Sequence, residues 1–317
     1  MKITASPAVT NFYTDILAHS FEPGGQRVAA ATTMGKFIVF ERDWDNNEAF
    51  TKMEMMLPNN APALCLDWKN GNVGILLGAK SLLYLFRQDR NGDFDDDAAR
   101  LTKFDVKYDV HDVASRGSGS PVIFGACDDC KVRVWDVETQ KLVGEMTDHK
   151  MPLEVCKAND EYVVTGGQDG NVVVYDASLR SPKPIVSFDQ GKSTITALDI
   201  SSDSTWIAAG SAGAPIVYNL KNSAILPQIS LENPNKIHTV HFDQMNTLWW
   251  GGGSGRIFKS LNLTEISTEI KATYGAATIF HVYSITSTSP NRLSAAGSST
   301  GILFSENGDF FEGMVHI

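Results

Sequence analysis

The sequence predicts an all-β fold in which seven copies of one four-stranded unit close into a ring, a seven-bladed β-propeller. The first observation is a repeat: a short apolar run, a turn of small residues and a second apolar run recur along the whole chain. The second runs end at residues 40, 86, 135, 175, 218, 260 and 304. Their spacing is close to the period of a propeller blade, about 40–45 residues. The other observation is that no segment carries a convincing apolar stripe at helical spacing, so we expect few helices.

The seven units follow one another along the chain, and each is expected to form one blade. Their second runs are GKFIVF (35–40), SLLYLF (81–86), CKVRVW (130–135), GNVVVY (170–175), GAPIVY (213–218), GRIFKS (255–260) and STGILF (299–304). Upstream runs such as ILAHSF, LEVCK and ITALDI are short and rich in β-branched and aromatic residues, as strands are. Because a lone blade cannot bury both faces and a closed ring can, we expect one domain over residues 1–317. We expect the C-terminal segment FFEGMVHI, rather than an N-terminal strand, to complete the last blade.

Composition and charge narrow the possible classes of function. Hydrophobic residues make up 43% and charged residues 20% of the 317 residues, which is ordinary for a globular protein. The net charge of −10 repels a phosphate backbone, so direct nucleic-acid binding is disfavoured. The sequence has no apolar run of about 18 residues, as a membrane span needs, and its N-terminus lacks the apolar core of a signal peptide. We therefore expect a cytosolic or nuclear protein without membrane contact.

The stretch LWWGGGSGR (248–256) has the composition of a phosphate-binding loop. Such a loop needs a strand that leads into a helix N-terminus, whereas the following GRIFKSLNL has the pattern of a strand. Aligned on the repeat, Gly255 matches the turn glycines of other units, for example Gly170. The glycines are therefore predicted to form the turn between a blade's second and third strands, where positive φ angles are needed. Trp249 and Trp250 are expected to be buried between blades.

No other motif indicates a metal, a cofactor or a catalytic site. Cys127 and Cys130 form a CxxC pair, but no second CxxC or HxxxH pair completes the four ligands that zinc needs. The acidic segment 89–100 has Phe94 and Arg100 at the sixth and twelfth positions, where a calcium-binding EF-hand loop needs Gly and Glu, so we expect a solvated loop. No HExxH, P-loop or kinase motif is present. We expect no cofactor and no enzymatic activity.

Trp135-Asp136 is a WD dipeptide, and together with the repeat it resembles the WD40 family. The resemblance implies a seven-bladed WD40 β-propeller and, in some blades, a buried hydrogen-bonded set of His, Ser or Thr, Asp and Trp. In the fourth unit the matching residues are His149, Thr165, Asp169 and Tyr175. The resemblance implies that Asp169 accepts hydrogen bonds from His149 and from the turn amides, a structural rather than catalytic role. The third unit keeps Asp129 but has Gly125 at the Thr position.

Three passages resemble one group of WD40 proteins, the THO complex subunit 6 family. They are FYTDILAHSFEPGGQRVAAATTMGKFIVFERD at the start, WIAAGSAGAPIVYNLKNS in the fifth unit and NRLSAAGSSTGILFSENGDFF at the end. The fifth-unit passage keeps a glycine-alanine turn where other WD40 chains carry Asp-Gly. The resemblance implies a nuclear, non-catalytic scaffold subunit of the THO/TREX complex, which couples transcription and mRNA processing to mRNA export. It also implies that the partners are other THO subunits, the coiled-coil members above all, and that RNA is reached only through the assembly.

Propeller partners commonly dock on the face around the channel, where the side chains just before each turn Asp position tend to point. These positions are Thr33, Ala79, Asp128, Gln168, Ser211, Gly253 and Gly297. The candidate partner-facing residues among them are Thr33, Asp128, Gln168 and Ser211. None is the Trp, Tyr or Arg that strong binding hot spots usually contain, so we expect a blade edge or side surface to be the better docking site.

Two further functions are compatible with the sequence. One is a WD40 adaptor in another assembly, such as translation initiation, the nuclear pore or a ubiquitin ligase. The other is a propeller enzyme, a hydrolase or lactonase with a metal in the channel, which needs several inward carboxylates or histidines at equivalent blade positions. Among the seven positions before the turns only Asp128 fits, which disfavours the enzyme.

Overall fold

A computed structural model describes most of the chain between residues 15 and 316. The described residues are 15–22, 25–43, 48–69, 74–79, 81–88, 94, 101–104, 106–117, 120–179, 183–189, 191, 193–227, 229, 235–274, 277–279, 281–287, 292–298, 301–305 and 313–316. Within these residues the only helical structure is a three-residue 3-10 turn at Pro58–Asn60, so helices are scarce, as predicted. The acidic segment 89–100 lies outside the described residues apart from Phe94.

The strands form seven antiparallel sheets in chain order, and each sheet is one blade of a β-propeller, as the repeat predicts. The strands of blades one to four are β1 (Ile16–Phe21), β2 (Arg27–Thr32), β3 (Lys36–Asp43), β4 (Glu48–Met56); β5 (Ala63–Lys69), β6 (Gly74–Ala79), β7 (Leu82–Arg87), β8 (Thr102–Phe104); β9 (Val110–Ser115), β10 (Val122–Cys127), β11 (Val132–Asp136), β12 (Lys141–Met146); and β13 (Leu153–Ala158), β14 (Tyr162–Gly167), β15 (Asn171–Asp176), β16 (Val186–Asp189). Those of blades five to seven are β17 (Ala197–Ile200), β18 (Trp206–Gly210), β19 (Ile216–Asn219); β20 (Ile237–Phe242), β21 (Leu248–Gly252), β22 (Arg256–Ser260), β23 (Thr268–Lys271); and β26 (Val282–Ser287), β27 (Leu293–Gly297), β28 (Gly301–Ser305), β29 (Gly313–His316). The third strand of every blade is the second apolar run of its sequence unit.

Two details were not predicted from the sequence. In blade five the place of a fourth strand is taken by a bridge between Tyr218 and Ile225. Between blades six and seven the chain forms a small hairpin from β24 (Thr273–Tyr274) and β25 (Ala277–Thr278). None of the helical structure in the described ranges is long and apolar enough to cross a membrane.

The C-terminal strand completes blade seven, as expected. β29 pairs with β28 as its outer neighbour, while β1 is the innermost strand of blade one. Among the described residues, blades seven and one therefore share no strand and are held together by side chains. The Phe304 ring packs edge-on against Phe21 and Phe40, with ring centroids 6.3 Å and 6.2 Å away. His19 Nε2 lies 2.8 Å from Ser294 Oγ in the same seam.

The core lies between neighbouring blades, and the two adjacent tryptophans show why. Successive residues of a strand point to opposite faces. Trp249 therefore belongs to a buried cluster that includes Val282 of blade seven, whereas Trp250 belongs to one that includes Val217 of blade five. Each side chain is only 1% exposed. Both indoles are buried between blades, as expected from the sequence, and burial of a large apolar side chain contributes about 1.5–3 kcal/mol.

The turn in LWWGGGSGR is shorter than the sequence predicted, because Gly251 and Gly252 belong to β21. A Cβ on Gly251 would lie 3.0 Å from Val282 Cγ1 of blade seven, so glycine allows the next blade to approach. A Cβ on Gly252 would lie 1.9 Å from the carbonyl oxygen of Lys236. Gly255 has a φ of +65°, the left-handed conformation expected at the turn. The stretch joins two strands and does not lead into a helix, so it is not a phosphate loop.

Candidate functional site

The innermost strands of the seven blades line a central channel with a cavity of about 600 Å³. In six of them a β-bulge follows the first residue of the strand. A bulge re-aims the extra residue, and in each case this residue lines the cavity near the start of the strand. We call these residues, with Thr196 of blade five, the channel mouth. They are Leu17, Leu64, His111, Glu154, Thr196, His238 and Tyr283.

Three positions further along the inner strands, a second set of side chains lines the channel. We call this set the deep ring, and its members are Ser20, Asp67, Lys157, Asp199, His241 and Thr286. Neither set was predicted from the sequence, because the inward positions had been sought only at the turns. In six blades the residue at the channel mouth is the second residue of the inner strand, and in five of these six the residue three places later belongs to the deep ring.

Carboxylates of the deep ring bind the backbone of the next blade. Asp67 Oδ2 accepts hydrogen bonds from Ser115 N at 2.8 Å and from Ser115 Oγ at 2.7 Å, which joins blade two to blade three. Asp199 Oδ2 accepts a hydrogen bond of 2.7 Å from Phe242 N, which joins blade five to blade six. Both aspartates hold neighbouring blades in register, which is a structural role.

Lys157 balances the negative charge of the channel. Its Nζ donates to Asp112 Oδ2 at 3.1 Å, and the same oxygen accepts a hydrogen bond from Cys156 N at 3.1 Å. Burial acts to lower the pKa of Lys157, but the charges of Asp112 and Asp67 outweigh it and raise the pKa above its ordinary value. Burial raises the pKa of Asp67, and the charge of Lys157 and hydrogen bonds from Ser115 partly oppose this shift. The interior of the channel is therefore a set of paired charges.

The channel holds more inward acidic groups than the turn positions indicated. Only Asp128 was expected there, and the inner strands add Asp67, Asp112, Glu154 and Asp199. Within the part of the chain that the structure describes, no three His, Cys, Asp or Glu side chains are grouped so that they could hold a metal ion. Inward carboxylates and histidines at equivalent blade positions, which the propeller-enzyme hypothesis requires, are therefore present, but among the described residues they form no group that could hold a metal ion.

A polar bridge joins blades three and four at the mouth. His111 Nδ1 lies 3.5 Å from Glu154 Oε2, and Gln168 Nε2 donates to Glu154 Oε1 at 2.7 Å. The interaction with Glu154 raises the pKa of His111, and nearby Asp128 and Asp109 add to the shift. The hydrogen bond from His111 in turn lowers the pKa of Glu154. Two acidic groups beyond Glu154 thus lie close to this imidazole.

Asp128 contributes a carboxylate oxygen that lacks a hydrogen-bond donor. Its backbone N–H donates to Asp109 O at 3.2 Å, which fixes the turn against the loop before β9. Its Oδ1 atom is buried and has no hydrogen-bond partner among the described residues. A buried carboxylate oxygen without a donor is costly, so this turn carries an unfavourable contribution to stability.

Two exposed apolar side chains flank this part of the mouth. Tyr108, in the loop before β9, is 41% exposed, and Met151, in the loop before β13, is 45% exposed. The guanidinium carbon of Arg133 lies 4.7 Å from the centroid of the Tyr108 ring. Asp129 accepts two hydrogen bonds of 2.6 Å from Arg133, which fix the guanidinium in place beside the Tyr108 ring. Tyr108 was not predicted as an aromatic anchor, because it lies in the loop before β9 and not at one of the positions before the turns.

The opposite side of the mouth, in blades six and seven, has a different character. The ring of His238 is 5.2 Å from that of Tyr283 and 6.3 Å from that of His281, measured between centroids. Burial lowers the pKa of His238, and the charges of Lys236 and His281 lower it further. This side presents rings and a lysine where blades three and four present carboxylates.

The candidate partner-facing residues lie around the same mouth. Thr33 N donates to Asp15 O at 3.0 Å, and Gln168 N donates to Pro152 O at 2.9 Å, so these turns abut the loops that enter the inner strands. Ser211 O accepts from Ile237 N at 2.8 Å in the same way. The side chains of Thr33, Asp128, Gln168 and Ser211 are all partly exposed. Ala79 and Gly297 are buried, whereas Gly253 is partly exposed.

The structure brings together three of the four residues that the WD40 resemblance assigned to a hydrogen-bonded set. His149 Nδ1 lies 3.1 Å from both carboxylate oxygens of Asp169, and His149 Nε2 lies 2.9 Å from Thr165 Oγ1. The Asp169 carboxylate also accepts from Lys150 N at 2.9 Å and Asn171 N at 3.0 Å. The donors around Asp169 lower its pKa although burial acts to raise it. The set fixes a turn against a loop.

Tyr175 lies beside the set. Its buried hydroxyl is near Thr165 and Asp148 but makes no hydrogen bond of good geometry among the described residues, and burial and the charge of Asp148 raise its pKa. In blade three Trp135 takes the equivalent place, and a Cβ on Gly125 would lie only 2.8 Å from its ring. The larger indole fills the space that Thr165 occupies in blade four, which explains the glycine.

The CxxC cysteines are free thiols in a turn. Cys127 is buried and Cys130 is partly exposed. Burial raises the pKa of Cys127 to about 11, even though Arg133 acts to lower it. A thiol with a raised pKa has little thiolate at neutral pH and is a weak nucleophile.

Comparison with known proteins agrees with the class of protein that this geometry defines. Residues 182–214 match the family model described as "WD domain, G-beta repeat". The match runs from the outer strand of blade four into the second strand of blade five and the turn after it. One sequence repeat therefore spans parts of two neighbouring blades. The described residues form a seven-bladed β-propeller, and one stretch of it matches the WD40 repeat.

An uncharacterised WD repeat-containing protein of Schizosaccharomyces pombe is 40% identical to this chain over 60 residues. The aligned residues make up 18% of this chain and 15% of that protein, so the chain covers only a small part of the relative's length. The similarity supports the WD-repeat assignment.

Proposed function

We propose that this propeller is a non-catalytic scaffold subunit of the THO/TREX complex, which couples transcription and mRNA processing to nuclear mRNA export. The observation that carries the proposal is the resemblance of WIAAGSAGAPIVYNLKNS to the THO complex subunit 6 family. This passage forms β18, β19 and the turn between them. Gly213 in the glycine-alanine turn has a φ of +93°, which supports the need for glycine in this family-specific turn.

The chemistry of the channel supports a scaffold rather than an enzyme. The carboxylates of Asp67 and Asp199 accept backbone hydrogen bonds from the next blade, and Asp112 pairs with Lys157. These carboxylates form their hydrogen bonds and ion pairs with other residues of the propeller, as expected for groups that stabilise the fold. Propellers of the WD40 type are generally non-catalytic scaffolds.

We further propose that the protein is nuclear and contacts other THO subunits, the coiled-coil members first among them. The net charge of −10 supports contact with RNA only through the assembly, because an acidic surface repels phosphate. Salt-sensitive binding of single-stranded RNA by the purified chain would contradict this part of the proposal.

The deciding experiment is to tag the full chain in its native cells and identify the proteins that copurify at physiological salt. We expect recovery of the THO coiled-coil subunits, with an unrelated tagged propeller as the control. Recovery of translation-initiation, nuclear-pore or ubiquitin-ligase proteins instead would assign the propeller to another assembly and reject the proposal.

A further inference from the structure

We propose that Ser287 is a reactive nucleophile, activated by His241 and Asp199, that accepts an acyl group from a small carboxylic ester. The three side chains come from the inner strands β26, β20 and β17 of three successive blades. The proposal goes beyond the scaffold role and does not rest on it, because it concerns the chemistry of one hydroxyl group in the channel. Acceptance of one acyl group modifies the protein and requires no turnover.

The hydroxyl of Ser287 lies within hydrogen-bond distance of an imidazole. His241 Nε2 is 2.7 Å from Ser287 Oγ, and His241 Nδ1 is 3.2 Å from Asp199 Oδ2. A nucleophile, a base beside it and a third group that orients the base are the parts that activate a serine hydroxyl. Such a set is recognised by its geometry and by the roles of its members, since it occurs on unrelated folds.

The carboxylate of Asp199 determines which ring nitrogen of His241 carries the proton. A neutral imidazole has one N–H donor and one nitrogen that accepts a hydrogen bond. Nδ1 faces a carboxylate, which only accepts hydrogen bonds when it is ionised, so the proton is favoured on Nδ1. Nε2 then accepts the hydrogen bond from the Ser287 hydroxyl, as a general base must.

The position of Asp199 is fixed by backbone groups of two blades. Its Oδ1 accepts a hydrogen bond of 2.9 Å from Ile200 N, and its Oδ2 accepts one of 2.7 Å from Phe242 N. These hydrogen bonds hold blades five and six together and also keep the carboxylate beside His241. Asp199 is therefore a positioning residue for Ser287, because it acts through the imidazole.

The set opens onto the channel. Asp199 and His241 line the cavity of about 600 Å³, and their side chains are 19% and 20% exposed. Ser287 is partly exposed, and the adjoining Thr286 lines the same cavity. A reagent that enters the channel can therefore approach the hydroxyl, and the volume of the cavity favours a small acyl group.

Two other histidines contact hydroxyl groups, and burial sets them apart. His149 lies between Asp169 and Thr165 in the same order, but Thr165 is 0% exposed. His19 Nε2 lies 2.8 Å from Ser294 Oγ, and Ser294 is also 0% exposed. A reagent cannot reach a hydroxyl that is closed to solvent, so we expect these two contacts to be structural only.

Acylation exchanges the alcohol of the ester for the serine. Ser287 Oγ bonds to the carbonyl carbon while its proton moves to His241 Nε2. The bond from the carbonyl carbon to the ester oxygen then breaks, and the proton passes to the departing alkoxide. The products are an acyl-serine ester and one alcohol, so the atoms and electrons balance without a further reagent.

A fluorescent fluorophosphonate, added to the full-length purified protein, tests the reactivity of Ser287. The serine oxygen bonds to phosphorus and fluoride leaves, so an activated serine becomes covalently labelled. We expect one labelled serine, which tandem mass spectrometry of the digested protein identifies as Ser287. Absence of label on Ser287 would reject the proposal.

Variants assign the reactivity to the set. Ser287→Ala should abolish the label, and His241→Gln should slow labelling by roughly a hundredfold, because the general base is lost. Ser294→Ala is the matched control and should be labelled at the wild-type rate. Circular dichroism and thermal denaturation show whether each variant is folded. Equal labelling of the wild type and Ser287→Ala would overturn the proposal.

Asp199→Asn separates the positioning role from the structural one. The amide oxygen still accepts a hydrogen bond from Phe242 N, whereas an amide N–H that faces Nδ1 of His241 favours the proton on Nε2. The folded variant should therefore be labelled at least roughly tenfold more slowly. Labelling of the folded variant at the wild-type rate would mean that Asp199 is structural only and that the set does not activate Ser287. If this variant unfolds, Ser287→Ala and His241→Gln still decide.

Acetyl transfer from p-nitrophenyl acetate tests the class of reagent. We expect a burst of about one nitrophenol per chain that Ser287→Ala lacks, as an accumulating acyl-serine produces. Equal release by the wild type and Ser287→Ala would reject a carboxylic ester as the acyl donor. Continued release that depends on Ser287 would keep the site and reject only the non-catalytic part of the proposed function. Copurification of THO subunits with Ser287→Ala tests the scaffold role separately.

Discussion

The carboxylate of Asp199 in blade five accepts a hydrogen bond of 2.7 Å from the backbone N–H of Phe242 in blade six. The same carboxylate accepts a hydrogen bond of 2.9 Å from Ile200 N and lies 3.2 Å from His241 Nδ1. Asp67 has the equivalent place in blade two and binds Ser115 of blade three. Since the described residues show no strand shared by the first and last blades, such polar contacts help to hold the ring in register.

We expect Asp199→Ala to lower the free energy of unfolding by about 1–3 kcal/mol, because the N–H groups of Phe242 and Ile200 lose their acceptor. Urea denaturation followed by far-UV circular dichroism measures the change. Glu161→Ala removes an exposed acid of the same charge and should have little effect. If the two variants were equally stable, the contact between blades five and six would contribute nothing measurable.

The His149 set allows a sharper comparison within one blade. Thr165→Val keeps the size of the side chain but removes the partner of His149 Nε2, so we expect a loss of about 1–3 kcal/mol in unfolding free energy. Tyr175→Phe removes a hydroxyl without a hydrogen-bond partner in the described part of the chain, so we expect a change below about 1 kcal/mol. Chemical denaturation of both variants measures the two changes in unfolding free energy. A larger loss for Tyr175→Phe than for Thr165→Val would mean that Tyr175 belongs to the set after all.

The architecture could be predicted because its signals are local. The third strands and the glycine turns recur in sequence, and Gly255 adopts the positive φ that its position in the repeat requires. Gly251 was assigned to the turn in error, since its reason for being glycine is the approach of Val282 from the next blade. A contact with another blade cannot be recognised from the sequence pattern around the residue.

The candidate site was less accessible to sequence reasoning for the same reason. Asp128 was selected from the repeat, but its relation to Glu154 and His111 depends on how blades three and four pack. The bulges that aim Glu154 and His111 into the channel are defined by pairing with the second strand. Tyr108 lies in a loop outside the repeated core, so the alignment of units did not single it out.

Cys130 offers a prediction about backbone strain. It has a φ of +67° at a turn position where Gly170 has +75° and Gly255 has +65°. A side chain is disfavoured in this conformation, so we expect Cys130→Gly to raise the free energy of unfolding by about 1 kcal/mol. Cys130→Ser keeps the side chain and should give no such gain. Thermal and urea unfolding of the two variants provide the measurement.

Replacing the glycine at the equivalent turn of blade four by alanine tests the same effect in the opposite direction. A Cβ on Gly170 would lie 2.3 Å from the carbonyl oxygen of Gly191, in addition to the positive φ. Gly170→Ala should therefore destabilise the protein by more than about 1 kcal/mol. If Cys130→Gly were neutral while Gly170→Ala was costly, close contact rather than backbone conformation would dominate at these turns.

His19 makes the seam between blades one and seven sensitive to acid. Its side chain is buried, and burial, with the charge of His241, lowers the pKa of His19 from 6.5 to about 3. The unfolded chain therefore binds a proton more readily than the folded ring does, so stability is lost as the pH falls from 6.5 towards 3. At pH 5.5 the loss from this group is expected to be on the order of 1 kcal/mol.

Unfolding free energies at pH 7.5 and pH 5.5 test this expectation in the wild-type protein and in His19→Gln. The variant cannot take up this proton, so its stability should fall less on acidification than that of the wild type. His281→Gln removes an exposed histidine and is the matched control. Equal acid sensitivity in the wild type and His19→Gln would mean that acid does not act through the seam. A reduced sensitivity in His19→Gln alone would identify the contact between His19 and Ser294 as the point where protonation weakens the closed ring.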